Sequence, residues 1–346
     1  KLFIMLIFYF MLTLSTLIAM SSNSWMIIWM MLEINLMSFT PIMMMKMNQN
    51  NFLFKYFIVQ TISSSSFLIS IMMLWMNNYN MLLMNMNFMN SLIMMAMMLK
   101  MGLMPFHWWY IEIMMNLNWM SFFLMSTWQK IIPLMIISYF NMNSIIQLTV
   151  MMSSLMSSIQ GMYQMNIRKI FSFSSINQTS WMMINSSMSM YLMITYMMLY
   201  MMISFPIMYM FNLNNFSYTH EIYLLNNYHY LTKLFLFMNI MSLAGLPPLL
   251  GFFMKFISIK FMIYNKMFLM CYILIISSLM TMFFYLRLSF SSMILTNSKN
   301  KMMLLNFTMK NCYNKNLMMM KNLMLMLLMT SINFFLMIIA TFFIFY

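Results

Sequence analysis

Four ionisable residues stand inside stretches that are otherwise apolar: Glu33, Lys100, Lys130 and Lys255. At the middle of a membrane-spanning helix such a residue costs about 2.5 to 3.5 kcal/mol, so each has to be paired or hydrated. One acid and three bases allow a single ion pair and leave at least two lysines to be accommodated otherwise. A lysine in a low-dielectric site exchanges its proton near neutral pH more readily than one in water, so the set suits proton transfer at membrane depth. Helix-breaking residues accompany the lysines. Lys100 is followed by Gly102 and by Pro105, which has no N–H and leaves the carbonyl of Met101 without its helical partner. Pro133 does the same for Gln129, next to Lys130, and Lys255 follows Gly245, Pro247, Pro248 and Gly251. Backbone left unpaired at this depth must face protein or a water-filled cavity.

Each residue also has a plainer reading. Lys255 is close enough to the end of an apolar run to snorkel, and Glu33 with Lys100 would serve as a static structural pair. His107, beside Trp108 and Trp109, reads either as an interfacial residue or as a relay. Lys130 is the hardest to explain away, because snorkelling from mid-span is a long reach. Glu112 and Glu221 are expected to be solvated, and His220 and His229 solvated or interfacial.

The elements that position these residues follow from length. A span needs about 20 apolar residues at about 1.5 Å each, and about eleven such stretches can be marked out. They are Leu2–Met20, Trp25–Met45, Tyr56–Met76, Phe88–Met104, Trp119–Phe140, Ile145–Tyr163, Ile170–Ile184, Met188–Phe211, Thr232–Tyr264, Met267–Phe290 and Leu323–Tyr346. The fourth leads into a short half-helix, His107–Leu117, and the ninth is too long for one straight span. The predicted architecture is an all-α polytopic membrane protein with a single transmembrane domain over residues 1–346. Within it, a first half covers 25–140, a second 145–290, a basic loop 291–322 and a last helix 323–346. Discontinuous helices near Lys100–Pro105 and Gly245–Gly251, one in each half, form the pattern of transporters built from inverted repeats. No sequence identity between the halves supports the repeat. Ser63 to Ser66, and Ser153, Ser154, Ser157 and Ser158, suit close helix packing.

Composition agrees. The chain has 346 residues, of which 64% are hydrophobic and 6% charged, and its mean hydropathy of +0.83 marks a polytopic membrane protein. The net charge of +14 arises from 17 Lys and Arg against 3 acidic residues. Nucleic acid is not the reading, because the basic residues lie in short loops and in one segment near the C-terminus, as the positive-inside rule requires. Lys1, Lys46, Lys55, Arg168, Lys169 and the C-terminal lysines fall on one side, and chiefly Lys260 and Lys266 on the other. That places the N-terminus on the basic side. The first twenty residues read as a span rather than a removable presequence.

Cys271 and Cys312 form no metal or redox motif, so no metal site is expected. The 65 methionines are scattered through every span. They fit an A+T-rich genome with an additional Met codon, as in animal mitochondria, better than a soft-metal site. With no GxGxxG, no P-loop and no nucleophile with its base, the chain is not expected to oxidise a dinucleotide or to split ATP.

Five strings carry a family resemblance: WMMLEINLMSFTPI around Glu33, LKMGLMPFHWWYIE around Lys100, LNWMSFFLMSTWQKIIPL around Lys130, NIRKIFSFSSINQTSWM, and LAGLPPLLGFFMKF around Lys255. Together they resemble the mitochondrial NADH dehydrogenase (ubiquinone) subunit 2 family, the antiporter-like membrane subunits of respiratory complex I. The resemblance implies a fold of two inverted five-helix bundles and a proton-transfer series. Glu33 and Lys100 would form the coupling pair, Lys130 the central carrier and Lys255 the site leading to the exit or to a neighbouring subunit. It also implies no cofactor in this chain, with NADH, FMN, iron–sulfur clusters and ubiquinone bound by other subunits. The implied partners are the other membrane-arm subunits, including neighbouring antiporter-like ones, and bilayer lipids. The implied location is the mitochondrial inner membrane, with the N-terminus in the matrix. In one departure, Gln178 stands where many relatives have a histidine, which removes a titrating group and leaves a hydrogen-bonded relay. Two other functions use the same features: a self-sufficient cation/proton antiporter, and a structural membrane anchor.

Overall fold

The computed structural model describes residues 2–44, 51–78, 86–140, 144–214, 216–219, 221, 230–247 and 249–294. The expected basic loop from 295 onward, the last helix, His220, His229, Pro248 and Cys312 lie outside the described residues.

Thirteen α-helices are present among the described residues: α1 Leu2–Ser21, α2 Trp25–Met44, α3 Asn51–Asn78, α4 Met86–Met101, α5 Trp108–Asn116, α6 Trp119–Ser126, α7 Ile131–Ser138, α8 Ser144–Met162, α9 Ile167–Met188, α10 Met190–Asn214, α11 Tyr230–Ala244, α12 Leu250–Tyr264 and α13 Phe268–Ile294. A 3₁₀ turn, Trp128–Lys130, joins α6 to α7. Among the described residues seven stretches are long and apolar enough to cross a membrane, the composite Trp119–Ser138 among them. The apolar cores of α4 and α11, Phe88–Met101 and Leu234–Ala244, are shorter, because both helices end where a glycine turns the chain.

These two ends share one construction. α4 ends at Gly102, with φ of 68°, and α11 at Gly245, with φ of 87°, a left-handed conformation that glycine adopts without a Cβ clash. At the first end the N–H of Gly102 donates to Leu99 O at 3.3 Å and that of Leu103 to Met98 O at 3.1 Å. At the second the N–H of Gly245 donates to Ser242 O at 3.1 Å and that of Leu246 to Met241 O at 3.3 Å. Both are the same paired C-cap. The next turn also repeats, with Phe106 N to Leu103 O at 2.7 Å and Leu249 N to Leu246 O at 2.8 Å. In this register the two segments read Gly-Leu-Met-Pro and Gly-Leu-Pro-Pro. The identity missing from a whole-length comparison is therefore present over one turn, where the backbone geometry demands it.

α9 is the axis of the bundle. It packs against α5, α7, α8, α10, α12 and α13, and every residue from Ile170 to Ser186 is buried. Its sequence is polar for such a place. The hydroxyls of Ser172, Ser174, Ser175, Thr179 and Ser180 each donate to the carbonyl three residues back, at 2.6 to 2.9 Å, so their burial leaves little unsatisfied. α8 turns Ser153, Ser154, Ser157, Ser158 and Gly161 inward, the small-residue face that close packing uses.

The polar ends of the bundle are fixed by arginines and by one acidic cap. Arg168 donates to Met115 O at 2.8 Å, and Arg287 holds Met162 O and Gln164 O at 2.8 and 2.9 Å. Glu221, expected to be solvated, instead accepts from the N–H groups of Ser217 and Tyr218 and from the Ser217 hydroxyl. Glu112 pairs with Lys55 at 2.6 Å, with both side chains about half exposed.

Candidate functional site

Lys130 lies at the join of the 3₁₀ turn with α7 and is 1% exposed. The local sequence accounts for the turn. Thr127 donates both its N–H and its hydroxyl to Phe123 O, at 3.0 and 2.6 Å, which closes α6. Pro133 lies in the first turn of α7, where a missing N–H costs nothing, and the departure from α geometry falls before it. The ammonium of Lys130 points at α9. It donates to Ser175 O at 3.2 Å, lies 3.5 Å from Ser175 Oγ, and sits 4.8 Å above the ring centroid of Tyr110. A carbonyl and an aromatic face thus hold the lysine in place of a carboxylate. Because Ser175 Oγ donates to Ser172 O, Tyr110 must be the donor in its 2.7 Å bond to Ser175 Oγ.

Lys100 occupies the last turn of α4 and is 8% exposed. Its carbonyl accepts from Gln60 Nε2 of α3 at 3.2 Å. Glu33, partly buried on α2, acts on Lys100 through its charge and does not make a contact ion pair with it. Among the described residues the contact ion pair is the peripheral Lys55–Glu112. Asn35, one step along α2 from Glu33's neighbour Ile34, accepts from Gln129 Nε2 at 3.0 Å and so ties α2 to the Lys130 turn.

Lys255 lies inside α12 and is 6% exposed, so it is buried rather than snorkelling. Its Nζ turns back to the end of α11 and donates to Ala244 O at 2.9 Å. Gly245 makes room for it, since a Cβ there would lie 2.8 Å from Lys255 Nζ. Gly251, in the first turn of α12, lets the two half-helices touch. Gln178, on α9, donates to Leu243 O at 3.5 Å and accepts from the Tyr196 hydroxyl of α10.

The three lysines are therefore linked through neighbouring contacts. Gly102 packs on Tyr110, where an added Cβ would meet Tyr110 Cβ at 2.5 Å, and Tyr110 lies beneath Lys130. Ser175 and Gln178 are three residues apart on α9, a rise of about 4.5 Å. Gln178 and Lys255 then take adjacent carbonyls of α11. Tyr110, Tyr196, Tyr200 and Tyr285 are all buried around this path. The Tyr200 hydroxyl faces Ser126 and that of Tyr285 faces Ser174.

His107 is not part of this chain of contacts. It is 4% exposed, with Nδ1 3.4 Å from Pro105 O, and it lines a cleft of about 480 Å³ with Trp108, Thr149, Met156 and Gln160. Among the described residues no three of His, Cys, Asp and Glu come together, and Cys271 is a buried free thiol. Sequence reading passed over Tyr110, Ser175, Gln60 and Tyr196. The available signal was a serine-rich helix beside an apolar bundle and a lone glutamine inside the apolar run of α3.

The family of membrane subunits described as NADH:quinone oxidoreductase/Mrp antiporter matches residues 22–281. Structures of this type include a chain of respiratory complex I from Thermus thermophilus, with a TM-score of 0.73 at 16% identity, covering 84% of this chain and 70% of that one. A chain of the Mrp complex from a Dietzia species gives a TM-score of 0.67 at 14% identity, covering 80% of this chain and 58% of that one. The bundle and its broken helices thus define an antiporter-like membrane subunit. A NADH-ubiquinone oxidoreductase chain 2 from Anopheles gambiae is 38% identical over 307 residues, 87% of this chain and 89% of that one. This chain belongs to the NADH-ubiquinone oxidoreductase chain 2 family, and so to the membrane part of mitochondrial complex I.

Proposed function

We propose that this chain translocates protons across the mitochondrial inner membrane as part of NADH:ubiquinone oxidoreductase, with Glu33, Lys100, Lys130 and Lys255 as the proton-transfer series. The observation that carries the assignment is Lys130, buried at a helix discontinuity and held by Ser175 and Tyr110 with no carboxylate in contact. A lysine so placed gains little from its surroundings as a static charge. A change in the field of Glu33 and Lys100 alters its proton affinity by the ordinary action of neighbouring charges.

The chain carries no redox chemistry of its own in this reading. NADH, FMN, iron–sulfur clusters and ubiquinone bind other subunits. Further membrane-arm subunits and lipids cover its apolar surface, on which Phe3, Phe10 and Leu17 are each more than half exposed. The N-terminus lies in the matrix, supported by the cluster of Lys55, Arg168, Lys169 and Arg287 at the end of the bundle opposite Lys260 and Lys266.

Lys130→Met in the assembled complex tests the function. It is expected to abolish proton translocation per NADH oxidised while the chain still assembles. Normal stoichiometry would remove Lys130 from the path. The likeness to an Mrp subunit supports a second reading, cation/proton exchange by the chain alone. Sodium-dependent proton exchange by the purified chain in liposomes would favour it. Co-migration of the chain with a large NADH-oxidising band on a native gel would favour the first.

A further inference from the structure

An α-helix leaves its last four carbonyls without intrahelical partners. At both broken helices the paired C-cap takes two of them: Met98 and Leu99 in one half, Met241 and Ser242 in the other. The next carbonyl stands two residues before the glycine and belongs to Lys100 in one half and to Leu243 in the other. Each accepts from the side-chain amide of a glutamine on another helix, Gln60 of α3 at 3.2 Å and Gln178 of α9 at 3.5 Å. The last carbonyl of α11, Ala244 O, goes to the ammonium of Lys255.

We infer that Gln60 and Gln178 are positioning residues for the proton-bearing lysines, each holding a carbonyl at the end of a broken helix: that of Lys100 itself in one half, and that next to the acceptor of Lys255 in the other. Both glutamines are buried. Gln178 is itself braced, because the Tyr196 hydroxyl donates to its amide oxygen and so fixes which end of the amide faces Leu243. Without that amide, Leu243 O and Ala244 O become two adjacent acceptors with one ammonium between them. The ammonium of Lys255 is then shared between them, and its hydrogen-bonding state is no longer set by Ala244 O alone. In the first half the carbonyl belongs to Lys100 itself, so releasing it loosens the turn that carries the lysine. A glutamine that merely filled space would not need a donor at this atom.

The inference rests on the proton-transfer reading above, and the experiment separates the two. Gln60→Leu, Gln178→Leu, Tyr196→Phe and Gln178→His are introduced into the intact complex in sealed inner-membrane vesicles. Protons moved per NADH are measured from pH 6 to 9. The two leucine variants are expected to shift the pH of half-maximal pumping by about one unit, a tenfold change in proton concentration. Tyr196→Phe, which keeps the volume and removes the brace, is expected to shift it about half as far. Gln178→His, whose neutral ring N–H can reach the same carbonyl, is expected to match the parent above about pH 8, where the added imidazole is uncharged. Should a leucine variant not assemble, the Tyr196→Phe and Gln178→His profiles decide. An unchanged profile in the leucine variants, or in Tyr196→Phe where those do not assemble, overturns the positioning role, provided Lys130→Met in the same vesicles has lost pumping. Normal pumping by Lys130→Met instead overturns the underlying assignment.

Discussion

Gly251→Ala is a small perturbation with a large expected effect. A Cβ at Gly251 would lie 1.5 Å from Ser242 O and 2.6 Å from Ser242 C, so the obstacle is backbone and cannot swing aside as a flexible side chain would. Ordinary contact requires α11 and α12 to separate by nearly 2 Å at the point where they meet. Overpacking of this kind costs about 1 to 3 kcal/mol. Ser242 O also accepts the cap bond from Gly245 N at 3.1 Å, and its loss adds about 1 kcal/mol. The sum, about 2 to 4 kcal/mol, raises the unfolded fraction by roughly one and a half to three powers of ten. Gly161→Ala is the control, because its Cβ would meet the edge of the Phe284 ring at 3.1 Å, and a ring can give way. The assay is the amount of chain in assembled complex after graded heating of the membranes. Gly251→Ala is expected to be lost several degrees below the parent, and Gly161→Ala to follow it closely. If Gly251→Ala survives as the parent does, the two half-helices are not in the close contact described here.

Other substitutions probe different parts of the bundle. Ser175→Ala removes a bond to Tyr110 and a contact to Lys130, and is expected to lower pumping per NADH several-fold while costing about 1 kcal/mol in heat resistance. Arg287→Lys cannot span Met162 O and Gln164 O at once, and is expected to cost about 1 to 2 kcal/mol by the same heating assay. Glu112→Gln breaks an ion pair that is about half exposed on both sides, so its effect is expected to stay within about 1 kcal/mol and to vanish in high salt.

The buried lysines were legible because the bilayer makes a charge in an apolar run conspicuous. Glu33, Lys100, Lys130 and Lys255 stand out against apolar runs, and Gly102, Pro105, Gly245 and Pro247 mark where helices cannot continue. What holds those charges was not legible. Tyr110 and Ser175 come from distant parts of the chain, and a tyrosine or serine in such a composition carries no signal until the backbone brings it to a lysine. Pro133, in the first turn of α7, follows the irregular backbone of Trp128–Lys130, where the sequence put the freed carbonyl of Gln129. α9 was marked as one span among others, since periodicity does not distinguish a helix with one polar face from one enclosed on all sides.

That enclosure bears on how the chain is made. With Arg168, Lys169, Asn177, Gln178 and a row of serines, α9 is a poor candidate to partition into lipid by itself, and in the bundle none of Ile170–Ser186 is left facing outward. Its neighbours α8 and α10 are long and apolar enough to cross alone. The central helix is thus a passenger of the flanking pair, able to settle only as protein forms around it. Synthesis that paused between α9 and α10 would leave the most polar part of the bundle without a shelter.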